Sequence, residues 1–524
     1  MNLAQKTTVA GTALTLAAFV GFCVGLSAMP IPEDLKPLDI FDHQRPFASF
    51  WARLVSRPQA VPRPSQGYVA GGGALNIAEE DTFVRDDEAV ETTIPHRPVD
   101  AHVAREAWTP PERPFFDRFK DALHLSAASL ERPCVEPPDA SVGPGCQRRA
   151  LDRFFDALRA AESSRPSSTV RVIYFGDSLI ASDKITDTVR ARLQDRFGAA
   201  GRGFLMVRKF NRFQRGHRTG RGTGGWVLDV ITQGVLQDRY FGYTGAAFTA
   251  QKAGEQSVFE PVGGARQLEL YYLQEPHGGV LTLTADGLAL GEVDTRGASL
   301  GKRAQVASFA LPPGTDAVTL RAETHGGRVF GVALEAEVPG VVLESIGLPG
   351  ATSEVWVRPH REDFLRMLAH RQPDLVVLMV GGNDALMLSK RRATEDRIKA
   401  SMDAFFQRIA AAVPEADCLV VTPLESVRAK ADGRMEPKAE VHTVMALQRR
   451  VARRHGCGVW DLYRSMGGEG SLRRWVDADL MLGDLIHPRS RGSDLLGEMM
   501  AEALMEGYDT YRAGAAEAAP PSAP

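Results

Sequence analysis

TVRVIYFGDSLIASDKITDTVRARLQDRFG, residues 169–198, decides the fold class. Its opening run is almost entirely β-branched or aromatic, which reads as a buried strand, and it ends in Gly176-Asp177-Ser178. A helix follows over 186–198, with Gly198 at its stop. Strand followed by helix is the repeating unit of a parallel α/β sheet, covered on both faces. The same alternation resumes after residue 340. VVLESIGLPG (341–350) leads to a helix around 354–371, and PDLVVLMVGGND (373–384) to another around 391–413. ADCLVVTPLES (416–426) precedes a helix at 437–455, and CGVWDLY (457–463) precedes a last helix from about 489 to 506. An amphipathic helix, RFFDALRAAESS (153–164), stands ahead of the first strand.

Between the two stretches the pattern changes. LELYYLQ, GVLTLTADGLALGEV, AQVASFALPPG, AVTLRAE and RVFGVALEAEV are short runs divided by Gly, Pro and Asp turns, with no helical period. They predict a β-sandwich over 226–340, inserted into an α/β domain whose parts are 114–225 and 341–510.

The chain has 524 residues, enough for about three domains. Its 62 Lys+Arg against 65 Asp+Glu give a net charge of −3, which argues against a general nucleic-acid binder. Hydrophobic residues make up 44%, so most of the chain can bury a core. Residues 31–113 do not follow that pattern. Residues 30–114 hold 12 of the 32 prolines, with RPQAVPRPSQG, AGGG and the charged run EEDTFVRDDEAVE, and predict an extended linker. A second disordered tail is expected at 511–524.

Lys6 is the only charge in the first 32 residues, and Val9 to Met29 carries none. That is long enough to cross roughly 30 Å of hydrocarbon as a helix. Residues 1–30 therefore read as a transmembrane anchor with the rest of the chain exported, or as a signal peptide cut after Ser27-Ala28. Leu26, three positions before that cut, favours the anchor. In an exported chain Cys134 and Cys146, flanking the Pro/Gly-rich VEPPDASVGPG, are candidates for a disulfide. Cys418 and Cys457 each begin an apolar run and are expected as buried thiols.

Three segments carry candidate chemistry, each at or beyond the C-terminal end of a predicted strand, where open α/β sheets place ligands. Ser178 stands at a tight strand-to-helix turn and could attack a carbonyl once a base takes its proton. By itself Asp177-Ser178 is also ordinary helix-cap chemistry. Asn383, in Gly381-Gly382-Asn383-Asp384, could aim its amide at an oxyanion; the plainer reading is a turn. Asp484 and His487 lie three apart, so the carboxylate can hold Nδ1 and leave Nε2 as a base.

In this order and context the segments resemble the four blocks of the SGNH (GDSL) hydrolase family. The resemblance spans about 169–205 and 340–505. It implies a three-layer parallel sheet flanked by helices, with Ser178, Asp484 and His487 as catalytic triad. The oxyanion hole would be Ser178, Gly350 of SIGLPGAT, and Asn383. Pro349 before that glycine is unusual but removes only its own N–H. The run from GDSL to GRGF, followed by a β-rich insert, is further similar to bacterial peptidoglycan O-acetylesterases, which carry a carbohydrate-binding-module-like sandwich at this place. Leu179 departs from them, since many have His there.

Two motifs are discounted. Gly297-Ala298-Ser299-Leu300-Gly301 fits a nucleophile elbow but lacks its strand–turn–helix context, and Gly220, Gly222 and Gly225 fit a dinucleotide fingerprint without a βαβ unit. The stretch 202–221 has seven Lys/Arg, His217 and no acid, with Phe204, Phe210, Phe213 and Trp226 interleaved or beside it. It reads as a solvated loop, or as a groove for an anionic polymer whose sugars stack on those rings.

The expected function is a membrane-tethered serine esterase on the periplasmic or cell-surface side of the bacterial inner membrane. It would remove O-acetyl groups from a cell-envelope polysaccharide, peptidoglycan foremost, through an acetyl-enzyme intermediate. No metal, organic cofactor or nucleic-acid partner is implied. An O-acetyltransferase with the same triad and a non-catalytic glycan-binding surface protein are the alternatives.

Overall fold

The computed structural model describes residues 114–126, 130–136, 146–163, 168–209, 219–232, 238–297, 301–430 and 434–517, all within one compact unit, Gly67–Pro524. The expected membrane segment and linker lie outside the described residues, as does the very end of the tail. Among the described residues no helix is long and apolar enough to cross a membrane.

Five parallel strands form the central sheet: β1 (Thr169–Gly176), β2 (Gly340–Gly347), β3 (Leu375–Met379), β4 (Asp417–Val421) and β5 (Gly458–Trp460). Their spatial order is β2-β1-β3-β4-β5, with β2 and β3 both pairing with β1. The strands are mostly apolar because both faces are covered, and the polar residues they do carry, such as Arg171 of β1 and Glu344 of β2, are paired. Val172 and Tyr174 of β1 point into one core, and Ile173 and Phe175 into the other. Helices α1 (Pro114–Leu123), α2 (Asp152–Glu162), α3 (Ser178–Ala181) and α4 (Lys184–Phe197) precede the insert. After it come α5 (Arg361–Arg371), α6 (Gly382–Ser389), α7 (Glu395–Ala412), α8 (Ala439–His455) and α9 (Ser490–Glu517). Buried side chains of α2, α4 and α9 fill one core and those of α5, α7 and α8 the other, so the sheet is the middle of three layers.

Three helices differ from expectation. The helix expected at 354–371 is broken: a 3-10 turn, Val355–Val357, is followed by α5, with His360 extended between them after Pro359 (φ −52°, ψ 121°). The Gly-Asn-Asp turn continues as α6. The last helix does not stop near 506 but runs to Glu517, into the stretch expected as tail. Tyr508 is fully buried against Phe155 and Phe197, and the Tyr511 hydroxyl donates to Asp156 at 2.7 Å, so contacts with α2 and α4 extend it.

The insert is two facing antiparallel sheets sharing a core that includes Leu270, Leu281, Leu283 and Leu320. One sheet holds Arg303–Ala310, Gln267–Gln274, Arg328–Glu335, Ala246–Ala250 and Trp226–Val230. Gly201–Leu205 joins it, pairing with Arg328–Glu335, so the sheet draws on chain ahead of the boundary expected at 226. The other holds Leu288–Asp294, Val280–Ala285, Val318–Ala322, Gln256–Phe259 and Arg221–Gly222. Alternation along their strands turns Phe204 and Trp226 into the core, fully buried. Those two rings, expected as sugar-stacking platforms, are therefore out of reach. Phe210, Phe213 and His217 lie outside the described residues, as do residues 298–300 of the discounted serine motif. Gly222 forms part of a short strand beside Gln256–Phe259, in sandwich context and not in a βαβ unit.

A buried polar network joins this sandwich to the hydrolase half. Arg371 of α5 donates from Nε to Glu344 of β2 at 3.1 Å and from Nη1 to Glu269 of the sandwich at 3.3 Å, and also pairs with Glu335. Tyr243 donates to the second oxygen of Glu344 at 3.0 Å. Burial pushes the Glu335 carboxyl up, but Arg371 and Arg171 outweigh it and hold it down at about 2.

Cys134 and Cys146 form a disulfide. Cys418 and Cys457, expected as thiols, are also bridged. They stand at the starts of adjacent strands, β4 and β5, with Cα atoms 4.7 Å apart, a separation that sequence spacing does not reveal.

Candidate active site

Each candidate residue stands at the C-terminal edge of the sheet. β1 ends at Gly176, where a Cβ would lie 2.3 Å from Ile180 Cγ1, so only glycine lets the chain fold back this tightly. Asp177 then caps α3: its carboxylate accepts from Leu179 N at 3.0 Å and its carbonyl from Ala181 N at 2.9 Å. Ser178 opens the helix, and its N–H has no hydrogen-bond partner among the described residues.

The loop before α9 brings the other two members. Ser178 Oγ lies 2.8 Å from His487 Nε2, and His487 Nδ1 lies 2.6 Å from Asp484 Oδ2. Asp484 Oδ1 accepts the N–H groups of Ile486 and His487 at 2.9 and 3.0 Å. Leu485 takes a left-handed conformation (φ 61°), which folds the loop over its own aspartate. Burial pushes the Asp484 carboxyl up. The hydrogen bond and charge of His487, with the two N–H bonds, outweigh burial and hold it below the usual carboxylate range. Ser178 and His487 are both half-buried, so the chain of three is open to a substrate.

Gly350 lies just beyond β2 in the segment Leu348-Pro349-Gly350-Ala351. Ala351 N donates to Leu348 O at 3.0 Å and Gly350 has φ 74°, the marks of a type II turn with Pro and Gly in its two central places. Gly350 is exposed, and its N–H, like that of Ser178, has no partner among the described residues. Asn383 stands in the first turn of α6, beyond β3, and its Nδ2 donates to Ala351 O at 3.0 Å. The three oxyanion candidates thus come from the ends of three neighbouring strands, about 4.8 Å apart. This is also the switch point of a 2-1-3-4-5 sheet, where the chain leaves β1 in opposite directions.

Two buried carboxylates back this edge. Asp177 and Asp384 are each pushed up to about 6, chiefly by burial. Asp384 accepts from Ser353, its N–H at 3.1 Å to both oxygens and its hydroxyl at 2.6 Å. In the sequence Asp177 is legible as ordinary helix-cap chemistry, and Asp384 only as part of a Gly-Asn-Asp turn. Nothing in the spacing of Ser353 and Asp384 signals their contact, because it arises from the packing of the turn after β2 against the start of α6. Among the described residues no three His, Cys, Asp or Glu side chains are grouped to hold a metal.

Residues 314–495 match the model of the GDSL-like lipase/acylhydrolase family. The chain carries a GDSL-like acylhydrolase domain. The match contains Gly350, Asn383, Asp484 and His487. Ser178, cut off from it by the sandwich, is brought back by the fold. No curated protein is significantly similar to the chain in sequence. Among solved structures a peptidoglycan O-acetylesterase shares the fold with a TM-score of 0.58 and 23% identity, over 68% of this chain and 96% of that one. An acetyl xylan esterase matches over 30% of this chain and 79% of its own (20% identity, TM-score 0.25). A carbohydrate-binding module of Cellvibrio mixtus lichenase 5A, in complex with cellotriose, matches over 22% and 90% (13% identity, TM-score 0.17). In the acylhydrolase domain a hydroxyl, an imidazole and a carboxylate in hydrogen-bonded sequence can generate a nucleophile at neutral pH.

Proposed function

We propose that the protein is an exported serine esterase that removes O-acetyl groups from a cell-envelope polysaccharide, peptidoglycan foremost. The observation that carries this reading is the hydrogen-bonded sequence Ser178–His487–Asp484, at 2.8 and 2.6 Å, beside two backbone N–H groups free to receive an oxyanion. Ser178 Oγ attacks the acetyl carbonyl while His487 Nε2 takes its proton. The negative oxygen is received by the N–H groups of Ser178 and Gly350 and the amide of Asn383. As the C–O bond to the sugar breaks, His487 returns the proton to the departing hydroxyl. Water, deprotonated by the same imidazole, then cleaves the acetyl-enzyme to acetate and restores Ser178.

The fold shared with a peptidoglycan O-acetylesterase supports the substrate class, and the sandwich, tied to β2 and α5 through Glu344, Arg371 and Glu269, supports a polymeric substrate. Two disulfides and the uncharged run from Val9 to Met29 support export, with that run as membrane anchor. The test is acetate release from O-acetylated peptidoglycan by the full chain and by its Ser178→Ala variant. Release by the parent alone is expected. Acetyl groups appearing on an added oligosaccharide in place of free acetate would make it a transferase. Inactivity of the parent on both the polymer and a small activated acetyl ester would refute the reading.

A further inference from the structure

The Pro349-Gly350 turn projects from the sheet with nothing packed on its outer corner: a Cβ built at Gly350 meets no atom within 4 Å. Its conformation must therefore be held from its two ends. One end is anchored by the sheet, since Leu348 is fully buried and its N–H donates to Gly176 O at 3.1 Å. The other end reaches α6. Ala351 O accepts Asn383 Nδ2, and two residues on Ser353 gives both its N–H and its hydroxyl to the Asp384 carboxylate. Ser353 and Asp384 are both almost completely buried. No basic side chain is paired with Asp384 among the described residues, so its charge is met by dipoles alone, those of Ser353 and of the start of α6. A buried carboxylate without a counter-ion is costly, and a neutral acceptor would satisfy one N–H more cheaply. The N–H of Ser353 lies 3.1 Å from both oxygens, a symmetric grip that an amide cannot reproduce, because its NH₂ would face a donor.

We infer that Asp384 is a positioning residue of the oxyanion hole, gripping Ser353 so that the Pro349-Gly350 turn keeps the Gly350 N–H open to the substrate. The inference rests on the esterase reading of the same site. Asp384 touches no substrate and acts through Ser353 alone.

The test measures kcat and KM of the full chain on a small activated acetyl ester, with thermal melts alongside. The variants are Asp384→Asn, Ser353→Ala and the two together, with Ser178→Ala as the blank. Asp384→Asn is expected to lower kcat by about 100-fold and Ser353→Ala by about 10-fold, with KM within twofold of the parent, because one oxyanion donor is worth on the order of 10²–10³. The double variant is expected to be no slower than Asp384→Asn, since both changes cut the same link. An Asp384→Asn variant within threefold of the parent in kcat, effects that multiply in the double variant, or a loss carried by KM would each overturn the inference. If Asp384→Asn does not fold, Ser353→Ala decides alone, and an unchanged kcat there overturns it. A parent no faster than Ser178→Ala would refute the esterase reading and this inference with it. An active parent with an unimpaired Asp384→Asn refutes the inference alone.

Discussion

Asp484→Asn separates orientation of the base from integrity of the loop. In the parent one carboxylate oxygen accepts two backbone N–H groups at 2.9 and 3.0 Å, and the other accepts His487 Nδ1 at 2.6 Å. An asparagine keeps its carbonyl on the two backbone donors, so the loop stays folded and the NH₂ takes the place opposite Nδ1. That group can only donate, so Nδ1 must accept and the neutral ring carries its proton on Nε2. Nε2 is 2.8 Å from Ser178 Oγ, so the imidazole then offers the nucleophile a proton when it should remove one. A wrong tautomer of this kind costs about 10⁴ in kcat, or about 5.5 kcal/mol at 1.36 kcal/mol per decade. The assay is kcat on a small activated acetyl ester near pH 7, beside a thermal melt. The melt should hardly move, whereas Asp484→Ala should lose both activity and stability, having left two backbone donors unpaired. The carboxyl lies below the usual range, so its contribution to stability is fully present above the unfolded value and is lost only as pH falls through the lower folded one. A kcat within tenfold of the parent in Asp484→Asn would refute the assignment of the base.

Asn383→Ala should lower kcat by about 10² to 10³ with KM little changed, measured on the same ester; equal loss in Ser178→Ala background activity would mean the amide acts elsewhere. Replacing Cys418 and Cys457 together by serine should cost about 4 kcal/mol in urea unfolding, and replacing Cys134 and Cys146 about 3, because the loops closed span 39 and 12 residues. The reverse order would refute a loop-entropy account. Asp177, at about 6 in the fold against an unfolded value of 3.8, stabilises fully below that lower value and loses its contribution as pH rises through 6. The stability difference between the parent and Asp177→Asn should therefore fall by up to about 3 kcal/mol between pH 4 and pH 7, and a flat difference would refute the shift.

What was legible in the sequence follows from range. β1 and β3 were legible because a strand covered on both faces is apolar at most positions, and TVRVIYF and LVVLMV announce that locally, Arg171 being the one charge among them. Asp484 and His487 were legible because three residues of chain suffice to bring them together. The partnership of Cys418 with Cys457 was not, because it depends on β4 and β5 being neighbours in space. The burial of Phe204 and Trp226 escaped for the same reason: whether an aromatic beside basic residues faces solvent or core is set by which sheet its strand joins, and Gly201–Leu205 pairs with a strand more than 120 residues later. The contact of Asp384 with Ser353 is likewise a product of packing in space, of the turn after β2 against the start of α6.

The position of the insert ties these parts together. The sandwich interrupts the chain between Ser178 and every other member of the candidate site, yet the site closes to within 2.8 Å. A swinging module at this place would pull α4 and β2 with it. The structure opposes that at the root: Glu344 lies on β2, six residues before Gly350, and its two oxygens are taken by Arg371, Tyr243 and the N–H of Phe204, the last two contributed by the inserted chain. Any tilt of the sandwich would expose or unpair a carboxylate that has no water-accessible surface, at a cost of several kcal/mol. The sheet beside β2 is thus held to the same frame as the Pro349-Gly350 turn. If the substrate is the polymer proposed above and it rests on that sheet, it would meet Ser178 at a fixed distance, and binding far from the ester would then contribute to orientation at the reacting carbonyl.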